Sequence, residues 1–229
     1  MTASSTVITS VLEKGILQAS GETYSIMHMG PEFLGPTAAL QEAVLAELGQ
    51  DEAHYLVPKS RAQLWHYLHG HHAAIYGITV GTQHAAQLVI RHRADLHEDR
   101  RLQAVLPNMN RYLLLQGALS HPQMRGRGLL FRLLDFINRN NPDATIVARI
   151  VPDNVVSWHT FMKAGYHIAA AAADPDDERR VFYLRHSTFL EPTQRRWVER
   201  HDFALCGDLC RDGWRGLSHT SDNMIEFAR

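Results

Sequence analysis

One stretch, His121 to Leu130 (HPQMRGRGLL), constrains this chain more than any other. It joins two segments of opposite periodicity. Before it lies RYLLLQGALS (111–120), an apolar run bounded by turn residues, as a central strand is. After it lies LLFRLLDFINRN (129–140), where Leu130, Leu133, Leu134 and Ile137 fall on one helical face. Two glycines and two arginines therefore sit where a helix begins. A helix N-terminus presents unpaired backbone N–H groups and the positive end of the helix dipole. Glycine lets the backbone approach an anion without a Cβ clash. The pattern reads as a nest for a phosphate or diphosphate, with Arg125 and Arg127 adding charge-assisted contacts. The plainer alternative is a glycine-containing connection with solvated arginines. A P-loop is excluded because GxxxxGK[ST] does not occur, and the third glycine of the dinucleotide fingerprint is missing.

The rest of the chain supplies the partners of this strand–turn–helix. Residues 1–21, rich in Ser and Thr near the start, read as a tail or an edge strand, and YSIMHMG (24–30) as a short strand. GPTAALQEAVLAELG (35–49) reads as an amphipathic helix on Leu40, Val44, Leu45 and Leu48. SRAQLWHYLHG (60–70) is a second helix, with Ser60 as N-cap and Gly70 as terminator. AAIYGITVG and AAQLVIRHR form a β-hairpin, followed by a charged loop, ADLHEDRR (94–101). Beyond the central helix come a strand (ATIVARIV), a helix (DNVVSWHTFMKAG) and two strands (YHIAAAAA, RRVFYLRHS) about an acidic turn, DPDDE. The last 40 residues suggest a helix around Phe203 to Cys210 and a terminal strand, NMIEFAR. The order predicts an α+β fold, a mixed and mostly antiparallel sheet flanked by helices.

Composition narrows the class. A formal net charge of −1 argues against a nucleic-acid partner or an anionic membrane, though not against a local basic site. No apolar run reaches the roughly 20 residues of a membrane span, and the N-terminus does not read as a secretory signal, so a cytoplasmic protein is expected. Cys206 and Cys210 lie one turn apart if helical; a disulfide there would staple nothing, and reduced, partly buried thiols are expected. Among 15 histidines, His69, His71 and His72 invite a metal reading, yet they surround a turn glycine and surface histidines fit better; no metal is expected. Trp65, Trp158, Trp197 and Trp214 read as core or interface residues, and Arg91, Arg93, Arg100 and Arg101 as part of a solvated mixed-charge surface.

Two motifs in order carry a family resemblance. Pro122 and Arg125-Gly126-Arg127-Gly128 open the first helix; Asn154 opens the second, which closes on Lys163-Ala164-Gly165-Tyr166. This arrangement resembles the GCN5-related N-acetyltransferase (GNAT) family over residues 22–188, leaving 189–229 as an extension that packs on the core or at a dimer interface. The resemblance implies acetyl-CoA as co-substrate. It implies that the amides of Arg125, Gly126, Arg127, Gly128 and Leu129 hold the diphosphate. The strand end at Ala118, Leu119 and Ser120 would pair with the pantetheine arm as an added strand. Asn154 would contact the coenzyme. The implied reaction passes the acetyl group to a primary amine of a small molecule or peptide.

Such an amine must lose a proton before it attacks, so a base is needed. The usual acid, a tyrosine, falls at Phe161, which has no proton to give and stands as a coenzyme-side contact. The usual carboxylate would fall near Leu114 or Gln116, and neither is a base. The candidate catalytic groups are then His121, Tyr112, His159 and Glu32, with Ser157 and Tyr76 as further substitutes. The missing acid–base pair also leaves room for a non-catalytic acyl-CoA sensor or scaffold. An enzyme using a longer acyl-CoA is a third possibility.

Overall fold

The structure, a computed structural model, describes residues 9–70, 72–92, 102–106, 112–173, 179–186 and 191–229. It divides into two compact units, one of Met1–Arg93 with Leu115–Ile137 and the other of Ala94–Leu114 with Asn138–Arg229.

The first unit holds strands β1 (Ser10–Ile16), β2 (Thr23–His28), β3 (Ala73–Val80) and β4 (Gln83–Arg91), followed by β5 (Tyr112–Ser120) from Leu115 onward. These strands neighbour one another in chain order, and the pairs β1–β2, β2–β3 and β3–β4 are antiparallel. The β3–β4 hairpin closes on a two-residue turn in which Gly81 takes φ +57°, the left-handed geometry that matches strand twist. Helices α1 (Leu34–Glu47) and α2 (Arg61–Leu68) cover one face. Ser60 caps α2 reciprocally: its side chain accepts from Gln63 N–H, and Gln63 Oε1 accepts from Ser60 N–H. Met29, Ala38, Leu64, Leu68, Ile75 and Val89 form the core beneath these helices.

Helix α1 departs from its expected face. Leu40 and Val44 are buried, but Leu45 and Leu48 are only half-buried, while Thr37 and Gln41 are buried. Gln41 is tolerated inside because its amide is fully used: Nε2 donates to Lys59 O at 2.9 Å and Oε1 accepts from Lys59 N–H at 2.8 Å. In α3 (Leu129–Asn140) the first buried position is Leu129, and Leu130 is half-buried, so the apolar face begins one residue earlier than the spacing suggested.

The second unit carries β6 (Thr145–Ile150), α4 (Val155–Lys163), β7 (Tyr166–Ala173) and β8 (Arg180–His186). It continues through β9 (Arg195–Glu199), α5 (Phe203–Arg211), β10 (Arg215–His219) and β11 (Met224–Ala228). Its strand order is β6-β8-β7-β10-β11-β9, antiparallel throughout. The alanine-rich β7 allows close approach on two sides. A Cβ on Gly207 of α5 would come within 3.0 Å of Ala171 O, and one on Gly216 of β10 within 3.0 Å of Ile168. Cys206 and Cys210 are free and buried on α5, and burial pushes each thiol up to about 12.

The α+β class and the mostly antiparallel pairing agree with the sequence reading. Strands β9 and β10 were not anticipated. Of the four tryptophans only Trp158 is core, at 1% exposure; Trp65 and Trp197 are exposed, and Trp214 is half-buried under Arg229. His71, the ADLHEDRR loop with Arg93, Arg100 and Arg101, and the DPDDE turn lie outside the described residues. Among the described residues no helix is long and apolar enough to cross a membrane, and no three His, Cys, Asp or Glu side chains converge.

Candidate functional site

The turn before α3 is built around two left-handed glycines, Gly126 at φ +76° and Gly128 at φ +69°. Arg125 N–H is used by Pro122 O at 3.3 Å, and the first bond of α3 is Arg132 N–H to Gly128 O at 3.1 Å. Between them, the amides of residues 126–131 have no hydrogen-bond acceptor among the described residues. A Cβ placed on either glycine would meet nothing within 4 Å, so the space over the turn is open. Six consecutive free N–H groups, the dipole of a 12-residue helix and open space suit an anion with several oxygens.

Sequence reasoning missed what the arginines touch. Arg125 donates to Glu47 at the end of α1 at 2.9 Å, and Arg127 donates to Glu22 before β2 at 2.5 Å. The Ser20 hydroxyl first, and then Arg127, hold the Glu22 carboxyl below its usual range. Each arginine makes its carboxylate contact through Nη1 alone, which leaves the other edge of the guanidinium for a ligand.

Strand β5 leads into this turn through Gly117, at φ +56°. That left-handed residue breaks the alternation of the strand, and Gln116, Gly117 and Ala118 are all half-buried. Leu119 packs with Leu40 and Val44 beneath α1, and Ser120 is half-buried. Gly117 was passed over in the sequence, although an isolated glycine in an apolar strand is the ordinary mark of a bulge.

The candidate bases in the first unit differ in readiness. His121 is half-buried; its N–H donates to Ala85 O at 2.8 Å, and its Nδ1 accepts from Gln123 N–H at 3.3 Å. The Thr9 hydroxyl and nearby backbone N–H groups hold the Glu32 carboxyl below its usual range, so Glu32 is ionised and weakly basic. Tyr76 lies against the His28 ring at 5.2 Å, and burial raises its phenol. His84 was not anticipated. It is buried on β4, and its Nε2–H donates to Gln87 Oε1 at 2.8 Å. Its Nδ1 lone pair is buried with no partner among the described residues, and burial keeps the ring neutral.

In the second unit Asn154 is the N-cap of α4, with Oδ1 accepting from Ser157 N–H at 3.2 Å. Phe161 is 2% exposed and packs edge-on against Tyr166 at 5.1 Å. Tyr112 is buried. His159 is half-exposed, with Nδ1 2.6 Å from His219 Nε2; burial, then His219 and Lys163, lower its ring from the ordinary value. The Lys163–Tyr166 motif ends α4: Gly165 takes φ +88°, and burial raises the Tyr166 phenol.

No protein-family model and no curated protein sequence matches the chain. Solved structures do. The chain is similar to the GNAT domain of S. lividans PAT, at 16% identity and TM-score 0.56, over 77% of this chain and 96% of that one. It is similar to an N-acetyltransferase from Staphylococcus aureus Mu50, at 10% identity and TM-score 0.54, over 72% and 97%. It is also similar to an aminoglycoside acetyltransferase in complex with coenzyme A and kanamycin, at 15% identity and TM-score 0.51, over 72% and 94%. The likeness is one of fold.

Proposed function

Because this chain has the fold of the GCN5-related N-acetyltransferases, we propose that it is an N-acetyltransferase that takes acetyl-CoA and acetylates a primary amine of a small molecule or peptide. One observation carries this reading: the amides of residues 126–131 have no acceptor among the described residues, at a helix start opened by two left-handed glycines. The donor set fits a diphosphate, and the open space above Gly126 and Gly128 leaves room for it. In this reading the backbone of Gly126 to Leu129 holds the diphosphate, with Arg125 beside it, and Arg127 shares its charge between Glu22 and the ligand. The half-buried strand end at Ala118 and Ser120 would hold the pantetheine arm of the coenzyme. Bound acetyl-CoA supplies the acetyl group as a thioester.

The acceptor must arrive neutral, and His121 is the proton acceptor we favour. It directly follows the strand end, and only a long bond from Gln123 N–H occupies Nδ1. Asn154 stays a candidate coenzyme contact: its Oδ1 caps α4, so its side chain has only N–H groups left to offer. Tyr112, His159 and Glu32 remain the further candidates.

The buried, phenyl-only Phe161 favours a second reading, a non-catalytic acyl-CoA sensor. The deciding experiment is calorimetric titration with coenzyme A, followed by thiol release from acetyl-CoA against a panel of amines. Binding with turnover supports the transferase. Binding without turnover on any amine supports the sensor. Absence of binding overturns both.

A further inference from the structure

The stretch set apart by sequence as an extension carries an open strand edge. The strand order of the second unit finishes on β9, and among the described residues no strand pairs with its outer side. Which groups that side presents follows from the bonds at the two ends of the strand. Gln194 and Arg229 exchange both backbone bonds at 3.1 Å, and Arg200 N–H donates to Asn223 O at 2.8 Å. These pairs continue the β9–β11 register, which runs from Arg195 opposite Ala228 to Glu199 opposite Met224 without a shift. Hydrogen-bonded pairs alternate along an antiparallel ladder, so Arg196 and Val198 spend their N–H and C=O groups on β11. Arg195, Trp197 and Glu199 turn theirs outward. Their side chains share one face of the strand, and all three are exposed, Trp197 at 46%.

We propose that this edge is the contact surface for a second copy of the chain, the two β9 strands pairing antiparallel about a two-fold axis at Trp197. The run Arg195-Arg196-Trp197-Val198-Glu199 is its own complement in that arrangement. Trp197 meets Trp197 of the second copy and exchanges both backbone bonds with it. Arg195 lies opposite Glu199 of the second copy, and Glu199 opposite its Arg195, on one face. Arg195 touches Glu226 through Nη1 alone, and its side chain stays 57% exposed. The Glu199 carboxylate has no hydrogen bond or ion pair among the described residues. Glu199 O already accepts from Asp202 N–H at 3.0 Å, so the outer bonds are those of the Trp197 pair and of Glu199 N–H to Arg195 O. Arg196, on the other face, lies opposite Val198 and meets no like charge. A parallel pairing would set Arg195 against Arg195 and Glu199 against Glu199, so charge selects the antiparallel register. The seam is one five-residue strand from each copy, against about 20–30 residues a side in a stable complex, so association is weak and rises with concentration.

The test is sedimentation equilibrium of the full chain from about 10 μM to about 500 μM. Wild type should pass from monomer towards dimer across that range. Trp197→Pro removes an outward N–H and leaves the bonds to β11 in place, so it should stay monomeric. Arg195→Glu and Glu199→Arg each set like charges across the seam, and each should weaken self-association by about tenfold or more. Mixed in equal amounts, one presents an acidic face and the other a basic one, and the dimer should return. Circular dichroism and the thermal midpoint check that each variant is folded. If Arg195→Glu, which loses the Glu226 contact, or Trp197→Pro fails to fold, Glu199→Arg decides alone, since its side chain has no partner to lose. Wild type that stays monomeric throughout would leave the edge to a strand of another protein and overturn the proposal. So would a dimer that persists unchanged in Glu199→Arg or Trp197→Pro, which would lie on another surface, or folded charge variants that do not associate when mixed.

Discussion

Tyr166 and Asn138 close a small exchange: the phenol donates to Asn138 Oδ1 at 2.8 Å, and Asn138 Nδ2 donates to Ala164 O at 3.0 Å. The asparagine side chain thereby ties the last turn of α3 to the end of α4. Tyr166 is 2% exposed, so water cannot replace its bond. Tyr166→Phe should cost about 1–2 kcal/mol in urea unfolding, and Asn138→Ala more, because it strands both partners. An unchanged midpoint in both variants would show that this exchange contributes nothing to stability.

Gly128→Asp should lower coenzyme A affinity by about tenfold or more, since it adds a carboxylate at the helix N-terminus and a side chain at a left-handed position. Gly81→Asp provides the control. Gly81 also has positive φ and open space but lies in the β3–β4 turn, so its substitution should leave coenzyme affinity unchanged while straining the backbone alike.

Arg127→Ala should weaken coenzyme A binding by about threefold to tenfold and reduce its dependence on salt. The measurement is titration at low and high ionic strength. Parallel salt curves for variant and wild type would place Arg127 outside the anion's reach, as a partner of Glu22 alone.

His167 makes the second unit sensitive to acid. Burial first, then Arg215, Arg185 and His186, bring its ring down from 6.5 to about 4. The unfolded chain therefore takes up a proton that the folded one refuses. The contribution is fully present above about pH 6.5 and is lost as pH falls toward 4, amounting to about 3 kcal/mol. His167→Gln should flatten the curve of unfolding free energy against pH over that window. An equally steep curve in the variant would assign the acid sensitivity elsewhere.

Neither cysteine should react with iodoacetamide at about pH 8 in the native protein, and both should react after denaturation. Their thiols, each pushed up to about 12 by burial, hold almost no thiolate at that pH. Native labelling would mean that α5 opens readily.

Much of this was legible because it is written in local pattern. Gly126 and Gly128 before Leu129, Ser60 before α2 and Gly165 after α4 are punctuation that elementary backbone geometry dictates. Long-range pairing left no such mark. Nothing around Arg127 points to Glu22, 105 residues away, or around His159 to His219, 60 residues away. Strands β9 and β10 escaped notice for a related reason. RRWVE and RGLSH lack sustained alternation, and they become strands by pairing with β11, which pattern alone does not reveal. His84 was hidden by its setting, a polar ring at the head of an apolar strand.

The register shift in β1 between Val11 and Glu13 bears on how the protein behaves when concentrated. Strand β1 ends the strand series of its unit and exposes Val11, Leu12 and Ile16, an arrangement that would otherwise invite a neighbouring chain to extend the ladder. The extra residue twists that margin and spoils the even spacing of its donors and acceptors, while Glu13 and Lys14 add charge beside the exposed aliphatics. By this geometry the one-residue irregularity should disfavour the addition of a further strand along β1.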